Sequence, residues 1–203
     1  YAVLTNPGDE IIVNSPNFIS YYYLADYYML NCKEIPRKDD FSPDFVKIRE
    51  AITPKTKFIL MNSPNNPTGY VYSKSDMDEI VQIVKDNDLY LISDEVYEHF
   101  LYNEEKHFSP ASYENMEHRT ITLNALSKTF GATGLRLGYI AASEEIIRNM
   151  EKYIQYTTAG VNHPVQYGAI EAIKNVKKMN LPQIIKEYDQ KRTLCVKRLK
   201  ELQ

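Results

Sequence analysis

The amino-acid sequence predicts an α/β fold: a mostly parallel sheet with helices on both faces. Two observations carry that expectation. Short β-rich runs alternate with amphipathic helical stretches along the chain, the pattern of strand–crossover–strand units. The best-defined run, Phe58-Ile59-Leu60-Met61, is apolar at every position, as a strand covered on both faces must be.

Each element has a local reason. Glu10-Ile11-Ile12-Val13 reads as the first strand, and the aromatic stretch from Phe18 to Leu30 as a helix. The cluster Tyr21-Tyr22-Tyr23 with Tyr27-Tyr28 is read as a face that packs on the sheet and into a partner. Ser42-Pro43 places a capping hydroxyl before a proline suited to the first helical position. Phe45, Ile48, Ala51 and Ile52 follow it at helical spacing. Ser73 opens a further helix with Asp76 three residues on, a capping-box arrangement, and Met77, Ile80, Val81 and Val84 form its buried stripe. Leu89-Tyr90-Leu91-Ile92 and Thr120-Ile121-Thr122-Leu123 read as strands, and Tyr139-Ile140-Ala141-Ala142 as one more. A helix follows with Ser143 as its cap and Glu144 and Glu145 in its first turn. Val165, Ala169, Ala172, Ile173 and Val176 lie on one face of the next helix, and a charged helix without an evident packing partner runs from Leu181 to the end.

Composition narrows the class of function. The 203 residues suffice for one sizeable domain. A net charge of −3 offers no electrostatic case for nucleic acid or an anionic membrane. Charged residues interrupt every apolar stretch well short of a membrane span. Cys32 and Cys195 stand far apart, outside any metal-ligand spacing, and read as reduced thiols of a cytoplasmic protein. His99, His107, His118 and His163 show no metal-ligand spacing either, and read as structural or surface side chains. Neither G-x-G-x-x-G nor G-x-x-x-x-G-K-[ST] occurs, so a nucleotide-binding reading is set aside.

Ligands of such sheets gather outside the carboxyl ends of the strands. Three segments sit there, each directly after a predicted strand: Asn62-Ser63-Pro64-Asn65-Asn66-Pro67-Thr68-Gly69, Ser93-Asp94-Glu95-Val96-Tyr97 and Asn124-Ala125-Leu126-Ser127-Lys128. Taken singly each has an ordinary explanation: turn chemistry, a solvated acid, a surface lysine. Together they deliver an amide, a carboxylate with a phenol, and an amine to one rim.

Asn65-Asn66-Pro67-Thr68-Gly69, Asp94-Glu95-Val96-Tyr97 and Ser127-Lys128-Thr129-Phe130-Gly131-Ala132-Thr133-Gly134-Leu135-Arg136-Leu137-Gly138-Tyr139 resemble the signatures of class I/II aminotransferases, fold-type-I enzymes dependent on pyridoxal 5′-phosphate (PLP). Similarity runs from Asn6-Pro7-Gly8-Asp9-Glu10 to the helix carrying Gln166. The resemblance implies a PLP-binding large domain, in part, over residues 1–180, and a helix over 181–203 leading toward a small C-terminal domain. It implies a chain that covers the middle of a longer enzyme, starting after an upstream phosphate loop and stopping before the arginine that receives the substrate carboxylate.

It also implies roles. Lys128 forms the Schiff base with the cofactor aldehyde and, once freed, moves a proton between the substrate's α-carbon and C4′. Asp94 pairs with the pyridine nitrogen and keeps it protonated. Asn66 and Tyr97 hydrogen-bond the ring's 3′ oxygen, Arg136 grips the phosphate through its two-pronged guanidinium, Ser127 adds a hydroxyl to it, and Phe18 stacks on a ring face. Where many relatives carry a phosphate-binding serine three residues before the lysine, this chain has Ala125. The expected partners are an amino acid, a 2-oxo acid and a second copy of the chain, since relatives complete each site across a homodimer. Two alternatives share these motifs: a PLP-dependent carbon–sulfur β-lyase, and the non-catalytic aminotransferase-like effector domain of a transcription regulator.

Overall fold

The computed structural model describes residues 1–202. At its centre lies a six-stranded sheet built from β1 (Glu10–Ser15), β2 (Asn31–Pro36), β3 (Thr56–Asn62), β4 (Tyr90–Asp94), β5 (Thr120–Ala125) and β6 (Gly138–Ala141). The order is β2-β1-β3-β4-β5-β6. The first five strands are parallel, and β6 returns antiparallel along β5. Among the described residues seven helices accompany them: α1 (Ser20–Tyr27), α2 (Phe45–Ala51), α3 (Lys74–Asp86), α4 (Leu126–Thr129), α5 (Glu144–Thr157), α6 (His163–Lys174) and α7 (Leu181–Lys200).

The apolar run of β3 is explained by the two-residue period of a strand. Phe58 and Leu60 point to one face, where they meet Ile11, Val13, Ile92 and Ile121 together with Tyr21 and Ala25 of α1 and Ile146 of α5. Ile59 and Met61 point to the other, against Ile12, Leu91, Ile48 of α2 and Met77, Ile80 and Val84 of α3. Each such side chain stabilises the fold by about 1.5–3 kcal/mol on burial, so one strand serves two cores.

The expected capping box of α3 is present: the Asp76 N–H donates to Ser73 Oγ at 3.1 Å, and the Ser73 N–H donates to Asp76 Oδ2 at 2.9 Å. Other boundaries differ from expectation. The aromatic helix is confined to Ser20–Tyr27, so Phe18 lies in the turn before it. Asp44, not Ser42, caps α2, its Oδ1 accepting from the Lys47 N–H at 3.2 Å, and Pro43 precedes the helix rather than opening it. A short acid directly before the helix is the nearer acceptor for its free N–H groups. Ser143 holds the cap position of α5 but its hydroxyl makes no capping bond. Val176 falls in a 3-10 turn beyond α6, not on its face. Strand β2 was not expected at all; Asn-Cys-Lys-Glu-Ile-Pro is an edge strand, largely exposed, whose backbone pairing with β1 needs no apolar run.

Both cysteines are free, and burial beside Glu34 and Asp26 pushes the Cys32 thiol up to about 11. Helix α7 buries none of its residues, yet it is not wholly detached. Tyr188 meets Phe100 edge-on at 5.8 Å, and the Arg192 guanidinium lies 4.9 Å over the Tyr102 ring. Among the described residues no helix is long and apolar enough to cross a membrane.

Candidate active site

The carboxyl ends of β1, β3, β4 and β5 form one rim, and every residue singled out in the sequence reaches it. Phe18 follows β1, Asn66 follows β3, Asp94 ends β4, and Ser127 and Lys128 sit on α4 directly after β5. Arg136 arrives from the other direction. Because β6 is antiparallel, its first residue, Gly138, pairs with Ala125 at the end of β5, and the chain just before it lies at the same edge. Arg136 takes a left-handed backbone, φ +52°, which turns the chain into β6. Such a conformation is uncommon for a residue with a Cβ. Gly138 is needed for a different reason: a Cβ there would stand 2.9 Å from the carbonyl oxygen of Asn124.

Phe18, Asn66, Asp94, Tyr97, Ser127, Lys128 and Arg136 line a single open cavity of about 280 Å³. Asp94 is half-buried in its lining. Asn66 is held by its backbone, whose N–H donates to Asn62 Oδ1 at 2.8 Å, while Asn62 Nδ2 donates to the Asp94 carbonyl at 3.0 Å. The Asn-Pro-Thr-Gly turn is thereby tied to the strand that carries the carboxylate. The turn is also closed on itself, Thr68 Oγ1 donating to Asn65 Oδ1 at 2.7 Å. Lys128 is exposed, with Nζ 5.4 Å from the centre of the Tyr97 ring, within cation–π range. Arg136 Nη1 donates to the Thr133 carbonyl at 2.9 Å, which leaves most of its donors free.

One member of the site was not anticipated. Tyr21, expected only to pack on the sheet, lines the same cavity and donates its hydroxyl to Asp94 Oδ2 at 2.5 Å. Its position three residues after Phe18 puts both rings on one side of the α1 start, 5.6 Å apart and edge-to-face. That spacing was visible in the sequence; the partner 73 residues away was not. Burial pushes the Asp94 carboxyl above its ordinary range, against the lowering effect of the Tyr21 hydroxyl and the Val96 N–H, with the Glu95 charge raising it further and Lys128 lowering it. Burial, followed by the Asp94 charge and the hydrogen bond it accepts, drives the Tyr21 phenol strongly upward. Tyr21 therefore stays a donor at any working pH.

A second, larger cavity of about 730 Å³ opens beside Lys128. It shares Asn66, Tyr97, Ser127, Lys128 and Thr133 with the first and extends to Phe100, Tyr102, Tyr188 and Arg192.

A family model described as aminotransferase class I and II matches residues 1–203. The chain belongs to that family. Class I and II aminotransferases are PLP-dependent enzymes, so the cofactor expected from the motifs stands. The chain is 39% identical over 198 residues to an aspartate aminotransferase of Pyrococcus abyssi, covering 96% of this chain and 51% of that one. It is 35% identical to aromatic-amino-acid aminotransferase 2 of Thermococcus litoralis, covering 99% and 52%. Among solved structures, an aromatic aminotransferase from Pyrococcus horikoshii superposes with a TM-score of 0.94 at 39% identity, covering 98% of this chain and 54% of that one. The chain thus spans about half the length of the curated relatives it matches.

Proposed function

We propose that the whole protein transfers an amino group from an amino acid to a 2-oxo acid, with Lys128 as the residue that carries PLP. The observation that supports this most directly is the convergence of Lys128, Asp94, Asn66, Tyr97 and Arg136 on one cavity from four separate segments. Their donor set suits the cofactor group by group: a primary amine for an aldehyde, an acid for a pyridine nitrogen, an amide and a phenol for a ring hydroxyl, a guanidinium for a phosphate.

When bound, PLP supplies an electron sink for charge developing at the substrate's α-carbon. The chain's own residues do the rest. Asp94, as a carboxylate, would pair with the ring nitrogen and keep a proton there. A cationic partner at that point offsets the burial that otherwise favours its neutral form. Asn66 and Tyr97 orient the ring by donating to its 3′ oxygen, each bond to a charged oxygen contributing about 1.5–3 kcal/mol. Lys128 would provide the amine of attachment and, when free, would carry a proton between the substrate's α-carbon and the cofactor's C4′. Arg136 and Ser127 would hold the phosphate, and Phe18 would offer its ring to the cofactor. The second cavity opens beside Lys128 and would admit an amino acid to the cofactor held there.

We assign residues 1–180 to the cofactor-binding large domain and the helix after them to the passage toward a small domain. A homodimer is part of the same reading. It is in keeping with the exposure of Tyr23 and Tyr27 on α1, 66% and 75%, on the face turned away from the sheet.

In the full-length protein, Lys128→Ala should abolish the absorbance band of the attached cofactor and lower transamination by about a thousandfold or more. Retained turnover in a homogeneous Lys128→Ala sample overturns the assignment. Stoichiometric conversion of the 2-oxo acid into a new amino acid separates transfer from β-elimination.

A further inference from the structure

Directly behind the cavity lies a second polar cluster that the proposed chemistry does not use. Glu95 follows Asp94 but points to the opposite side of β4, and it is only 3% exposed. Its Oε1 accepts from Ser93 Oγ at 2.9 Å and Ser109 Oγ at 2.8 Å, and its Oε2 from His107 Nε2 at 2.8 Å. A buried carboxylate is tolerated only when so supplied with donors. With Nε2 donating, His107 Nδ1 is left buried without a partner, so its ring is held from the Glu95 side alone.

Two of the three donors come from far along the chain, twelve and fourteen residues after Glu95. Between them the chain makes an excursion with no regular strand or helix, including the left-handed Asn103 and Glu104. Its ends meet at Glu95, the arrangement of a compact surface loop closed at its neck. The neck is pinned to the sheet as well: the Glu95 N–H donates to the Leu123 carbonyl at 2.9 Å, and Asn124 Nδ2 donates to the Glu95 carbonyl at 3.4 Å and to Glu98 Oε1 at 2.6 Å. The loop carries Tyr97 into the first cavity, and Tyr97, Phe100 and Tyr102 into the second.

We propose that Glu95, His107 and Ser109 form a clip that closes the neck of this loop, and that they are positioning residues which hold Tyr97 at the cofactor ring. What Tyr97 touches rests on the function proposed above; the closing of the loop does not. An open neck leaves the loop free to sample many conformations, an entropic disadvantage that the bonds at Glu95 remove. Glu95, Glu98 and His107 offer ligand atoms within 4.8 Å of one another. Each of those side chains already has a hydrogen-bond partner, which favours a clip over a metal site.

The test uses the full-length protein. In its cofactor-free form, Glu95→Ala should raise amide hydrogen exchange across residues 96–106 by about tenfold or more while leaving β1 and β3 unchanged. Glu95→Gln, which keeps the shape and the Ser93 and Ser109 bonds, should stay within about threefold of wild type. If Glu95→Ala does not fold, Ser109→Ala carries the same comparison. With PLP added, Glu95→Ala should weaken cofactor binding by about tenfold, and its effect should be non-additive with that of Tyr97→Phe. Unchanged exchange in 96–106 overturns the clip. Full additivity with Tyr97→Phe overturns its role in placing that phenol. A wild-type protein that binds no PLP fails the proposed function instead, and leaves the exchange result to decide the clip.

Discussion

Asp94 occupies a position where two demands oppose each other. Burial pushes its carboxyl upward, and only the Tyr21 hydroxyl, the Val96 N–H and Lys128 pull it back. A carboxyl whose folded pKa is raised stabilises the fold fully below the unfolded value of about 3.9, and that contribution is lost as pH rises through the folded value. In the cofactor-free protein, Asp94→Asn should therefore raise the melting temperature near neutral pH, with the advantage shrinking as pH falls into the acid range. A lower melting temperature at neutral pH would show that burial is not the ruling term. Tyr21→Phe acts in the opposite sense on the ionised form, since it removes a donor 2.5 Å from Oδ2. We expect PLP affinity to fall about tenfold in that variant, by spectrophotometric titration. No change would place the phenol outside the site's energetics.

Among elements, the capping box of α3 is the most exposed to a simple test. Ser73→Ala removes the acceptor for the Asp76 N–H and should lower stability by about 1 kcal/mol, seen as a shift in denaturant midpoint. At the amino end of β1, Glu10 is lowered from the ordinary carboxylate value, first by its bond with Lys33 and then by Thr53. Its contribution is present above the unfolded pKa and fades as pH drops through the folded one. Elements with a strong local signature were legible in the sequence: β3 from its unbroken apolar run, α3 from its cap and stripe. Those defined by a neighbour were not. Strand β2 exists because β1 offers its edge, and the helix Phe18–Leu30 shortened at both ends because Phe18 turns to the cavity and Leu30 packs under the sheet.

Across the whole molecule, the two faces of the sheet share one set of strands, so damage to either core reaches the site. Ile59 is 1% exposed on the face packed by α2 and α3. Ile59→Ala should cost about 2–5 kcal/mol of unfolding free energy, measured by chemical denaturation, with the midpoint shifting while the slope is unchanged. A value near zero would mean that this face repacks freely.

The alternation of strands and helices, and with it the edge where chemistry collects, was legible in the chain because hydrophobic period and turn residues are local properties. The sequence also named the amine, acid, amide, phenol and guanidinium, since each belongs to a short contiguous motif. Contacts between segments remote in the chain came from the folded arrangement alone. The antiparallel return of β6 brings Arg136 back to the rim, Tyr21 reaches Asp94, and Glu95 gathers His107 and Ser109. The last two arise when burial leaves a polar group no partner but another buried one, and nothing in a linear order of residues states which two will meet.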